Sequence, residues 1–559
     1  MKQRIILFLG LVSLPAMLFA QESRIERSVI TIPNTTRAVM NLKVTDRAYL
    51  PMKSFGNTLV NVPAIKLRES NWPLDSLPKI QPPAAQDMRA NETNKTAYGD
   101  KYSNALEFGL GNYGHTIFTF DVGQSKKENK FFGMHVHHDA NQIGPVKSEY
   151  SARSENQIRF ENRSLGKVNY WESTLGYQQH TNNFYGLSEI PTFLKQSDIE
   201  VTYRRFNAEG KVSSAKQGGK TEYLFLVSGD QLRNSSDLSE TVIKAKAIYG
   251  YKLSEHLRFK LVGDYIFSEY KPNSTLQKWN RNLQRINPHL AYKSSRVSLN
   301  AGFLFVTEFD NPLDEKTSVF PMLQMDFGAS DYIHLFGGIG GDVQFNSLQS
   351  FLDQNPWMRI PSQLKNTNQV GHVYGGIKGI GENKKIDFEV KYDYAEYSDL
   401  PFLINAVGAN NKFDVQYRGG LEKIQVTNFT GNLNLNFSSQ FTSSFKFNHV
   451  IYQQLGIEFH APHVPSTTLS WTNSWRLSPK IVISPDVYWM KSLFALEPVK
   501  NQLIQLDDIL DVNFKINYFI KRNMNLGLSG NNLLGKNYQR YYQYQVQGLN
   551  ATLSFAYSF

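Results

Sequence analysis

Apolar and polar residues alternate with a period of two through most of this chain. At the C-terminal end Leu549, Ala551, Leu553, Phe555, Tyr557 and Phe559 fall on one side, and Asn550, Thr552, Ser554, Ala556 and Ser558 on the other. That period puts alternate side chains on opposite faces of a β-strand. The same pattern recurs in Leu257–Phe267, Ile386–Ala395, Asn428–Phe437 and Asp511–Tyr518, and about twenty times between Asn104 and Phe559. Each run is roughly ten to fourteen residues wide, which suits a strand crossing a bilayer at a tilt. A soluble β-sandwich gives the same alternation with its apolar face inward, so periodicity alone does not separate the two.

The ends of the chain separate them. Met1–Ala20 has a basic start (Lys2, Arg4), an apolar stretch from Ile5 to Phe19 and a small residue before Gln21, the make-up of a secretory leader. Beyond residue 20 no apolar run approaches the length of a membrane helix. The terminal strand, apolar outward and polar inward and ending on Phe559, fits the closing seam of an outer-membrane barrel. The expected fold is therefore all-β: a transmembrane antiparallel β-barrel of about 22 strands spanning residues 103–559, in the cell outer membrane. Its closing strand would carry Leu549, Leu553, Phe555, Tyr557 and Phe559. The connectors Tyr270–Arg281, Asn346–Asn368, Gly456–Ser466 and Lys491–Asp508 are the longest breaks and are expected on the outside of the cell.

Composition fits this reading. Mean hydropathy is −0.40, an ordinary value for a soluble protein, but a barrel lowers its mean through the lumen residues. Aromatics make up 13% of the chain, with 29 Tyr and 37 Phe, as interfacial girdles require. No Cys is present, which excludes disulfides, thiolate metal sites and a lipidated N-terminal Cys. The formal charge of +11 becomes +9 once Lys2 and Arg4 leave with the leader. Such an excess suits anionic solutes or lipid headgroups, or is simply scattered and solvated. Residues 21–102 hold seven prolines and lose periodicity from Leu74 to Thr96, so they are read as an extended periplasmic or lumen segment.

Candidate chemistry is sparse. Met134–Asp139 contains the one histidine cluster, and on a strand His135, His137 and Asp139 would share a face and could reach one divalent metal. Ordinary lumen-facing polar residues explain it as well. His460 and His463 fall in a connector. No Gly-x-Ser-x-Gly elbow is present, and the Gly-rich stretches Gly337–Gly341 and Gly375–Gly379 precede no helix, so neither an enzyme nor a cofactor is expected. Tyr541, Tyr542 and Tyr544 are read as girdle residues.

Asn531-Asn532-Leu533-Leu534-Gly535-Lys536-Asn537-Tyr538, followed by Gly548 and the run to Phe559, resembles the end of TonB-dependent receptors. Leu106–Gly114, Asn355–Trp357, Leu364–Thr367, Gly375–Gly379 and Leu506–Asp508 are similar to a subgroup of receptor-like barrels from Bacteroidota. The resemblance implies a 22-stranded outer-membrane barrel. It departs at the N-terminus, where about eighty residues stand in place of a plug of well over a hundred, and Ser28–Ile32 looks only loosely like a TonB-contacting segment. A receptor or solute conduit with a polar lumen is the expected function, and a non-transporting subunit of an assembly or secretion complex is the alternative. The expected partners are outer-membrane lipid, the barrel-assembly machinery through the last strand, and a protein that closes the lumen; nucleic acid is not among them.

Overall fold

The computed structural model describes residues 104–559 apart from short breaks, the longest at 188–193, 273–277 and 310–314. Met1–Ala20, the segment 21–102 and Ser28–Ile32 lie outside the described residues. Successive strands pair antiparallel from Asn104–Gly111 to Asn550–Ser558, and these two pair with each other. The main sheet has 23 strands, of which Ile457–Phe459 is a short flap on the end of Phe441–Gln454. The other 22 form a closed barrel. Closure leaves no sheet edge in the bilayer, where an unpaired N–H or C=O would have no water to meet it.

The seam shows how the last residue takes part. Ala105 pairs with Ser558, and Gly111 with Thr552. One rung further, Phe559 donates its N–H to the Asn104 carbonyl at 2.9 Å and accepts the Asn104 N–H at 3.1 Å. The Phe559 ring stacks on Tyr557 with centroids 5.6 Å apart. Leu553 is exposed on the outer face and Phe555 and Tyr557 are half-buried, while Asn550, Thr552 and Ser554 are buried on the inner face. Leu549 stands exposed just before the strand.

Outward side chains form a continuous apolar belt. Phe108, Phe132, Trp171, Phe206, Phe225, Ile243, Leu290, Phe303, Leu323, Val373, Tyr392, Phe429, Trp475, Leu528 and Leu553 are all exposed, and together they go round the circumference. A contiguous apolar surface of this extent is untenable in water and is what lipid requires. Inward positions on the strands carry Glu107, Asp121, His135, Arg285 and Asp393.

Local irregularities have local causes. Pro288 has no N–H to give its neighbour, and the ladder steps from Ile286–Phe305 to His289–Gly302 around it. The Asn287 side-chain amide takes over, donating to the Phe303 carbonyl at 2.9 Å. The glycines of Gly337–Gly341 sit in a strand whose register shifts between Gly340 and Asp342, a bulge that bends the wall.

The two ends of the barrel differ. At the end holding Asn104 and Phe559 the connectors are turns of a few residues, such as 253–256, 294–296 and 479–480. At the other end six are long, 184–199, 345–366, 399–423, 455–466, 492–508 and 532–549, while others such as 112–114 and 235–238 are short. Of the expected long connectors, 345–366, 455–466 and 492–508 are long and share this end. The connector after Tyr270 is instead short, 272–278, and the longest is 399–423, which was not among those expected. It contains its own hairpin, Leu400–Ala406 paired with Ala409–Arg418, whose alternation imitates a membrane strand.

Candidate functional site

The long connectors converge on a second hydrophobic core, separate from the lipid-facing belt. Phe184 and Tyr185, Phe351, Trp357 and Met358, Phe413, Leu493, and Tyr541, Tyr544 and Val546 are all buried in it. The Trp357 and Tyr544 rings stack with centroids 3.8 Å apart and planes at 26°. Tyr185 meets both edge-on, at 5.7 Å and 4.8 Å. Phe413 closes the group against Tyr541 at 5.5 Å and His463 at 5.2 Å. Such offset and T-shaped contacts match the quadrupoles of the rings.

Polar tips of the same residues tie one connector to the next. Trp357 Nε1 donates to the Asn183 carbonyl at 3.0 Å, Tyr185 to Gln545 O at 3.0 Å, and Tyr541 to Gln354 O at 2.7 Å. Phe413 and the Trp357–Arg359 segment exchange backbone hydrogen bonds at 3.0 and 2.8 Å, a parallel bridge between two connectors. The short helix Leu348–Leu352 is held at its start by Glu240, whose carboxylate accepts from the N–H groups of Leu348 and Gln349 at 2.9 and 3.0 Å. Unsatisfied donors at a helix start make it a natural anion partner. Gly186 is required by the packing, since a Cβ there would lie 2.3 Å from the Tyr544 ring. Burial, reinforced by the Arg540 cation, pushes the His463 imidazole down to about 3, so it is neutral inside this cap. Arg540 Nη1 donates to the His463 carbonyl at 2.5 Å.

Below the cap the inner wall is a lattice of paired charges. Arg285 bridges Asp264 at 2.7 Å and Asp342 at 3.1 Å. Arg205 meets Asp230 at 2.9 Å, Arg258 meets Glu222 at 3.1 Å, and Asp393 takes Lys391 at 2.6 Å and His372 at 3.0 Å. Charges turned away from water persist when paired and hydrogen-bonded. Near the turn end a cleft of about 640 Å³ is lined by both signs, including Lys293, Arg296, Asp326, Lys378 and Glu389.

No family model and no characterised relative matches the sequence. Solved structures do match the fold. The FrpB iron transporter from Neisseria meningitidis (F5-1 variant) superimposes with a TM-score of 0.65 at 11% identity, over 82% of this chain and 83% of that one. The siderophore receptor PirA from Acinetobacter baumannii gives 0.62 at 10% identity, over 82% and 80%. The ferric-catecholate import receptor Fiu from E. coli K12 gives 0.60 at 9% identity, over 82% and 81%. The fold is the closed 22-stranded antiparallel barrel that these proteins share.

Within this barrel the sequence-predicted positions find their places. His135, His137 and Asp139 are buried on the inner face of Lys130–Asn141. Each is engaged by protein: His135 Nδ1 lies 2.6 Å from Asp121 Oδ1, His137 Nδ1 lies 3.1 Å from Thr119 Oγ1, and Asp139 takes Arg153 at 2.9 Å. Among the described residues no three His, Asp or Glu side chains gather in a metal-holding group. Tyr541 and Tyr544 are not girdle residues. They belong to the hairpin Gln539–Tyr541/Tyr544–Gln545, which folds into the cap and is held there by Trp357. His463 also enters the cap, while His460 stacks on Phe494 at 4.0 Å. The cap itself was missed; the aromatic-rich, non-alternating composition of 184–187, 355–360 and 538–546 was the available signal.

Proposed function

We propose that this chain is an outer-membrane receptor for a polar solute. The turn end faces the periplasm, and the loop cap both recognises ligand and controls entry to the lumen. The observation that carries this is the cap: several connectors from around the rim share one aromatic core above a wall of paired charges. Because the wall neutralises its own charges, it favours hydrated solutes over one sign of ion. Structural neighbours described as an iron transporter, a siderophore receptor and an import receptor support the receptor reading. Recognition of the closing strand, with Leu553, Phe555, Tyr557 and Phe559, by the barrel-assembly machinery is part of the same reading. The metal candidates His135, His137 and Asp139 are assigned to the lumen wall.

The alternative, a non-transporting subunit that offers its loop end as a docking surface, draws on the same core, since such packing suits a permanent lid. Planar-bilayer conductance distinguishes them. The receptor reading expects little current from the intact chain and stepwise openings once Trp357→Ala and Tyr544→Ala break the cap. Silence from both proteins would contradict it and favour the docking subunit.

A further inference from the structure

We infer that the turn rim is a basic collar that binds the anionic headgroups of phospholipid in the adjoining leaflet. Its exposed members are Lys167, Lys220, Arg296, Lys385, Lys480 and Lys521, each on or beside a different turn and spread around the whole circumference. Acidic residues stand on or beside the turns of this end as well, among them Glu255, Asp331 and Asp387, but among the described residues exposed basic side chains outnumber exposed acidic ones there about two to one. At the loop end, among the described residues, exposed acidic side chains outnumber the basic ones. Among the described residues the exposed positive excess therefore lies at the turn end.

Two features select lipid as the partner. A protein would dock on one sector of the rim, whereas the cations surround the barrel on every side, as only lipid does. The cations also lie just beyond the aromatic girdle. Lys220 Nζ sits over the Tyr251 ring at 5.5 Å. Lys167 lies within five residues of the exposed Trp171, Arg296 of Tyr292, Lys480 of Trp475 and Lys521 of Tyr518. Amphipathic rings at the interface with flexible cations reaching past them place positive charge at the depth of phosphate groups.

This inference rests on the periplasmic orientation of the turn end for its biological meaning, but the binding is measurable without it. The purified full-length chain is offered equal amounts of phosphatidylglycerol and phosphatidylethanolamine in mild detergent, and retained lipid is counted by native mass spectrometry. Wild type is expected to keep roughly fivefold more of the anionic lipid. The variant with all six residues changed to Gln should keep the two about equally, with its heat-modifiable migration intact. If that variant fails to fold, wild type alone decides: raising salt from 50 to 500 mM should abolish the preference, because exposed charges are screened. Equal retention by wild type, or a preference that survives both the substitutions and the salt, overturns the inference. Selective capture of an acidic protein at the rim with no lipid preference overturns it too. The orientation is tested separately, since the chain has no Cys. Labelling of Ser295→Cys by an impermeant maleimide on intact cells would invert the orientation and leave the lipid result untouched.

Discussion

The barrel wall and the loop cap use the same residues in opposite ways. In the wall Trp171 and Trp475 are half exposed and point outward. In the cap Trp357 is 2% exposed, and its ring and N–H both find partners within the protein. The wall is solvated by lipid, so its apolar side chains gain nothing by turning in, and its polar side chains must. The cap stands in water and folds as a small soluble domain does, around apolar burial. One chain thus obeys two hydrophobic rules, and the boundary between them is the point where the strands leave the bilayer.

The largest way to break this division is at the seam. Deleting Phe559 removes two backbone hydrogen bonds, each worth about 1 kcal/mol net, and Phe559→Asp puts a charge beside the apolar belt. Either change is expected to lower assembled barrel on the order of tenfold, read as heat-modifiable protein in outer-membrane fractions. Near-normal levels would show that the last rung is dispensable. Trp357→Ala comes next. It should weaken the cap by about 3–5 kcal/mol and leave the wall intact. Hydrogen exchange would then rise in 345–366 and 532–549 but not in the membrane strands; a uniform rise would deny the cap a core of its own.

That contrast also explains what could be read in advance. Alternation is a local signal, so Leu257–Phe267, Ile386–Ala395 and the terminal strand were legible one by one, and closure into 22 strands followed from their number. The cap depends on pairings far apart in sequence, such as Tyr185 with Tyr544 and Met358 with Phe413. No period marks these. Tyr541 and Tyr544 therefore looked like girdle residues, and the hairpin Leu400–Arg418 alternates as a wall strand does. His135, His137 and Asp139 were placed on one face correctly, but their separate partners, Asp121, Thr119 and Arg153, come from neighbouring strands whose register the sequence does not state.

Smaller changes sharpen the comparison. Gly186→Ala drives a methyl into the Tyr544 ring and should cost the cap about 1–3 kcal/mol, seen as faster proteolysis of the loops with unchanged barrel melting. Acid should loosen the cap before the wall. His463 is held neutral well below its ordinary value, so the unfolded cap binds more protons between pH 6.5 and about 3. Its contribution is full above pH 6.5 and declines as pH falls through that window. His463→Phe should flatten the pH dependence of loop exchange there; an unchanged profile would exclude this histidine as its source. The smallest effect is expected at Arg359–Asp414, a bidentate pair with its arginine half exposed, where Arg359→Ala should cost no more than about 0.5 kcal/mol.

Quenching by brominated phospholipid tests the division most directly. The chain has seven tryptophans, so variants can be made that retain only Trp475 or only Trp357. In reconstituted protein, bromine on the acyl chains should strongly quench Trp475 and leave Trp357 as bright as in unbrominated lipid. Equal quenching of the two, or none at Trp475, would mean that lipid does not bathe the outer face of this wall.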